Sequence, residues 1–128
     1  MAEMKTAATI ALFCAGGGLV RYYLSGWVYN LLGRAFPYGT FAVNITGAYL
    51  IGFIMELGLR STLIPETLRL ALTVGFLGGL TTFSTFSYET FTLLEDGQIL
   101  VAFANVLVSV AVCLLFTWLG IFSVRALA

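Results

Sequence analysis

Residues Gly75–Phe86 read GFLGGLTTFSTF, and this run decides the fold. Its twelve residues hold three glycines, four hydroxyl side chains and three phenylalanines, inside an apolar stretch long enough to cross a membrane. Glycine and threonine weaken a helix. Polar side chains in hydrocarbon need a partner, so they face protein or a wet cavity. The run therefore predicts a transmembrane helix that is broken near the bilayer midplane and covered by protein. Irregular backbone at that depth survives only under such cover.

Working outward, four apolar stretches appear: about 6–29, 38–59, 67–94 and 99–124. Each supplies the ~20 residues that a ~30 Å hydrocarbon core requires. The 128-residue chain is 60% hydrophobic and 9% charged, against about 25% charged in soluble domains. The expectation is one all-α domain over residues 1–128, with four antiparallel transmembrane helices joined by short loops. So small a bundle can hardly enclose a polar path alone, which points to a homodimer. The first stretch lacks a signal-peptide pattern and reads as the first span.

Composition also excludes functions. Net charge is zero, which argues against nucleic acid as a partner. Histidine is absent, removing the usual general base and the commonest metal ligand. No phosphate loop or nucleophile elbow is present, so the chain does not read as an enzyme. Cys14 and Cys113 both fall mid-span and read as packing residues. Lys5, Arg60, Arg69 and Arg125 lie on the side holding both termini, against Arg34 and Arg21. That bias is mild under the positive-inside rule and allows insertion in both orientations.

Each span carries candidate functional residues. In span one, Gly16–Gly18 precede Arg21, a costly side chain that faces water or a partner, or snorkels to the interface. Span two carries Asn44, whose amide bonds across a helix interface or lines a wet path. Span three carries the broken run, with Glu89 about a turn later at a vestibule or the interface. In span four, Asn105, Ser109, Cys113 and Thr117 recur every four residues, a polar rail down one face or a small-residue packing seam. The midplane inventory is neutral: Asn44, Thr81, Thr82, Ser84, Thr85 and the rings of Phe83 and Phe86. Neutral donors and the electropositive rims of phenyl rings suit a small anion.

With these residues in place, the chain resembles the Fluc-type fluoride channels of the CrcB family. The likeness covers nearly the whole chain. It rests on the glycine-rich first span ending in Arg21, the block Gly39-Thr40-x3-Asn44-x2-Gly47-x4-Gly52, and GFLGGLTTFSTF followed by Glu89. The resemblance implies an antiparallel, dual-topology homodimer in the bacterial inner (plasma) membrane, with two fluoride pores. It implies that Phe83 and Phe86 form a ring box around the ion and that Asn44 donates to it. Ser84, Thr85, Asn105, Ser109 and Thr117 match a polar track, and Arg21 and Glu89 match vestibule positions. Main-chain carbonyls of Gly78 and Thr81 match a central structural sodium site. Neutral donors would replace the water of a small, tightly hydrated anion without trapping it, and the pore would release cytoplasmic fluoride passively. The rival reading is a small four-span dimeric antiporter of the multidrug-resistance type. That class centres on a glutamate in the first span, where this chain has no acid after Glu3.

Overall fold

A computed structural model describes residues 1–127. Helix α1 spans Ala2–Leu32, and α2 spans Tyr38–Arg60. The third crossing begins at Glu66–Leu70, widens through Ala71–Leu77 into turns closed by i→i+5 bonds, and ends at Gly78–Leu80; we call this stretch α3. Helix α4 spans Phe83–Glu95 and α5 spans Ile99–Leu127. Four segments are long and apolar enough to cross a membrane, and α3 and α4 together make the third.

The ends follow local chemistry. Pro37 precedes the first residue of α2, as its fixed φ and missing N–H favour. Ser61 closes α2 and donates its hydroxyl to the Leu57 carbonyl at 2.9 Å. Gly33 and Gly97 take positive φ, 83° and 77°, at the turns after α1 and α4, a region that favours glycine.

The sequence placed the interruption of span three somewhere within Gly75–Phe86. The structure narrows it. Gly78–Leu80 stay helical, and only Thr81 (φ −89°, ψ 158°) and Thr82 (φ −151°, ψ 115°) are extended. The widened turns of Ala71–Leu77 were not expected, since nothing in local composition distinguishes them from an ordinary helix. Such turns are rare and concentrate at functional sites.

Packing is by close backbone approach, because lipid gives helices little hydrophobic reason to associate. Helix α2 runs along α5, α1 lies against α3, and α4 leans on α5. A Cβ on Gly52 would stand 2.2 Å from the Thr117 carbonyl oxygen, and one on Gly120 would stand 2.1 Å from that of Tyr49. These two glycines set the α2–α5 distance. The buried apolar core is small: Val43, Ala71, Leu77, Leu80, Ala102 and Val124. Leu12, Leu19, Leu107, Leu114 and many other large apolar side chains face outward, which suits a lipid solvent. No buried side-chain polar atom among the described residues lacks a hydrogen-bond partner.

Candidate functional site

The break between α3 and α4 organises the site. Ending a helix leaves its last carbonyls without partners, and each is treated differently here. The Leu77 carbonyl accepts from the Thr81 N–H at 2.9 Å and the Thr81 hydroxyl at 2.8 Å. The Gly79 carbonyl accepts from Nε of Arg21 at 2.9 Å. The N–H that helical continuation would aim at Gly78 belongs to Thr82, and it donates instead to Asn44 Oδ1 at 2.8 Å. The Gly78 carbonyl therefore lacks its helical partner, and extended Thr81 carries its own carbonyl outside either helix. Among the described residues no cluster of three or more His, Cys, Asp or Glu side chains exists. The carbonyls of Gly78 and Thr81 are the backbone oxygens that the break takes out of regular helical bonding.

Asn44 bridges the break. Its Nδ2 donates to the Thr82 carbonyl at 3.1 Å while its Oδ1 accepts from the Thr82 N–H. An amide nitrogen has two donors, so one N–H remains after this exchange. On the far side of the break Thr82 caps α4, its Oγ1 accepting from the Thr85 N–H at 3.1 Å. That oxygen also donates to Thr85 Oγ1 at 3.0 Å. Gly47 leaves room beneath the break, since a Cβ there would lie 2.0 Å from Thr81 Cγ2.

A cavity of 540 Å³ opens beside these residues. Asn44, Gly78, Thr81, Phe83, Phe86 and Ser109 line it, with Cys113 and Thr117 further along. The rings of Phe83 and Phe86 stand 5.5 Å apart, tilted by 39°. Phe83 is 78% exposed. Ser84 and Thr85 are not among the cavity's lining residues. Ser84 is exposed and lies 3.4 Å from Thr82 Oγ1, and Thr85 turns back to the cap.

The four-residue rail of α5 divides. Asn105, 1% exposed, donates from Nδ2 to Thr90 Oγ1 at 2.8 Å and accepts from the Ser109 hydroxyl at 3.1 Å. Thr90 in turn donates to the Phe86 carbonyl at 2.7 Å. Asn105 thus joins α5 to α4 and stands outside the cavity lining, whereas Ser109 reaches it. Thr117 donates to the Ala48 carbonyl at 3.0 Å, fastening α5 to α2. The tie through Thr90 was not read from the sequence, where threonines in spans carry no distinguishing signal.

The two vestibule candidates lie apart. Arg21 is held at the break on the Gly79 carbonyl, where a cation complements the carbonyl end of a half-helix. Glu89 lines a second cavity of 260 Å³ with Tyr29, Arg34, Tyr88 and Asp96. Its carboxylate accepts hydroxyl hydrogen bonds from Tyr29 and Thr40. Sequence reading marked Thr40 only as part of a motif and missed Tyr29. Arg34 stacks over the Tyr29 ring, 4.3 Å from its centroid. Gly39 makes space for that ring, because a Cβ there would lie 2.4 Å from it.

Four apolar crossings, a broken third span and polar groups gathered at the break define a multi-pass helical membrane protein with an intramembrane polar site. The chain belongs to the CrcB family: the family profile described as CrcB-like protein, Camphor Resistance (CrcB), matches residues 8–121. Among similar chains, the fluoride-specific ion channel FluC of Trichlorobacter lovleyi is 80% identical over 125 residues, covering 98% of this chain and all (100%) of the relative. The protein of that name from Pelobacter propionicus is 77% identical over 124 residues, 97% of this chain and 96% of its own. That from Geobacter sulfurreducens is 62% identical over 124 residues, 97% of this chain and 100% of its own. These relatives carry the name of an ion channel, not of an enzyme.

Proposed function

We propose that this chain is a passive, fluoride-selective channel that releases cytoplasmic fluoride across the bacterial inner membrane. The observation that carries the reading is the juxtaposition of the Phe83–Phe86 ring pair with the Asn44 amide in one cavity at the helix break. The name shared by relatives up to 80% identical agrees with it.

The cavity walls carry neutral donors and aromatic edges rather than fixed charge. The second Nδ2 hydrogen of Asn44 and the electropositive rims of the rings offer partners to a small anion. Ser109 gives its proton to Asn105, so donating to an ion requires that hydroxyl to turn. Weak, successive partners let an ion enter and leave, as conduction requires.

The working unit is an antiparallel homodimer inserted in both orientations, with two pores. Exposure of Phe83 on one chain supports it, since a pore-lining ring needs a second wall. A structural sodium ion between the two copies takes the carbonyls of Gly78 and Thr81 from each. When bound it supplies positive potential at the middle of the dimer. Arg21, held on Gly79, fixes the end of the half-helix that presents those carbonyls.

The test is fluoride efflux from proteoliposomes, read by a fluoride electrode, with potassium and valinomycin setting the driving force. Rapid fluoride release without chloride release is expected. No fluoride release from folded dimer would overturn the channel reading.

A further inference from the structure

At the end of the bundle that holds both termini, Glu56 lies within the last two turns of α2 and is only 7% exposed. One carboxylate oxygen, Oε1, accepts from Nε of Arg60 at 2.6 Å and from Nε of Arg125 at 2.9 Å. A buried carboxylate beside two guanidinium groups leaves one net positive charge. Both arginines use only Nε on Glu56, so their terminal NH2 groups remain as donors. Their side chains are 47% and 57% exposed. The shared oxygen holds the two planar forks side by side, and such forks match phosphate.

The surroundings name the source of that phosphate. Arg60 and Arg125 close the last turns of two membrane-crossing helices, the depth at which lipid headgroups lie. Trp118, Phe122 and Arg125 follow helical spacing on one face of α5. The Trp118 and Phe122 rings stack, 5.4 Å apart and 17° from parallel, and both are more than half exposed. A charged pair therefore sits above an apolar aromatic wall. We infer that Glu56, Arg60 and Arg125 form a binding site for the phosphate of an anionic phospholipid, with an acyl chain lying along Trp118 and Phe122. The site is separate from the ion path, and this inference does not rest on the channel reading.

The chain has two tryptophans, so Trp27→Phe leaves Trp118 as the sole indole reporter. The full-length W27F protein is reconstituted with brominated phosphatidylglycerol or brominated phosphatidylcholine, and Trp118 quenching is followed against lipid mole fraction. One net charge near the surface gives roughly fivefold preference for the anionic lipid. Arg60→Gln leaves Glu56 paired with Arg125 and the cluster neutral, so the preference should fall toward unity. If that variant misfolds, Glu56→Gln/Arg60→Gln/Arg125→Gln reads the same loss without a buried carboxylate. Arg69→Gln removes the same charge at the same end of the bundle. Its side chain packs over Gly58, two residues from Arg60 and so on the other side of α2, and the preference should persist. Equal quenching by both lipids, or equal loss in Arg69→Gln and Arg60→Gln, would overturn the site. Abolition of the preference by inorganic phosphate, against a chloride control of equal ionic strength, would overturn the lipid assignment.

Discussion

Asn44 and Thr82 exchange two hydrogen bonds: the amide nitrogen of Asn44 donates to the Thr82 carbonyl, and its amide oxygen accepts the Thr82 N–H. A side chain of α2 thereby replaces the backbone bonding that Thr82 loses by leaving the helix. The same residue lines the cavity, so it both closes the break and keeps an amide N–H beyond that exchange.

Replacement of Asn44 tests both roles. Asn44→Asp sets a carboxylate against the Thr82 carbonyl and, on the channel reading proposed above, in the path of the anion. Two like charges 4 Å apart repel by about 4 kcal/mol at an effective dielectric of about 20. Fluoride efflux should drop by at least about two orders of magnitude on that arithmetic. Phe83→Ile keeps apolar bulk but removes the electropositive ring edge, and should slow efflux. An Asn44→Asp protein with undiminished flux would remove the amide from the path.

Glycine substitutions should separate contact from open space. Gly52→Ala drives a methyl against the Thr117 carbonyl, and overpacking of this kind costs about 1–3 kcal/mol. Gly18→Ala meets nothing within 4 Å. It should be neutral or stabilising by up to about 1 kcal/mol, since alanine favours a helix. Unfolding followed in detergent gives the order directly; equal effects would contradict the α2–α5 approach.

Arg21→Gln removes a charge-assisted bond to Gly79. Such bonds contribute about 1.5–3 kcal/mol, and partial exposure of Arg21 puts the loss at the lower end. Arg21→Lys keeps the charge near the carbonyl end of α3 and should recover part of it. Recovery is read as a shift in the unfolding midpoint relative to the glutamine variant.

Tyr29 and Glu89 should be energetically coupled. Tyr29→Phe deletes one of two hydroxyls on the carboxylate, and Glu89→Gln removes the charge both hydroxyls serve. A double-mutant cycle on unfolding should give a coupling of about 0.5–3 kcal/mol. Strict additivity would mean that the two groups do not share a bond in the membrane.

Sodium removal tests the carbonyls at the break. Efflux measured with sodium replaced on both sides by a large organic cation should fall, and return when sodium is restored. Flux indifferent to sodium would leave Gly78 and Thr81 without an ion.

The sequence by itself determined four crossings, a broken third span and the family, because hydropathy, length and glycine–threonine content are local and survive reading in one dimension. Phe83 and Phe86 were legible as a pair for the same reason, being three residues apart on one helix. The site was legible as an inventory but not as an arrangement. Asn44 meets Thr82 across 38 positions, Arg21 meets Gly79 across 58, and Tyr29 meets Glu89 across 60. No local pattern reports such distances. Only the tertiary structure decided that the helix unwinds at Thr81-Thr82 alone, because a partner on another helix takes the hydrogen bond that Thr82 gives up.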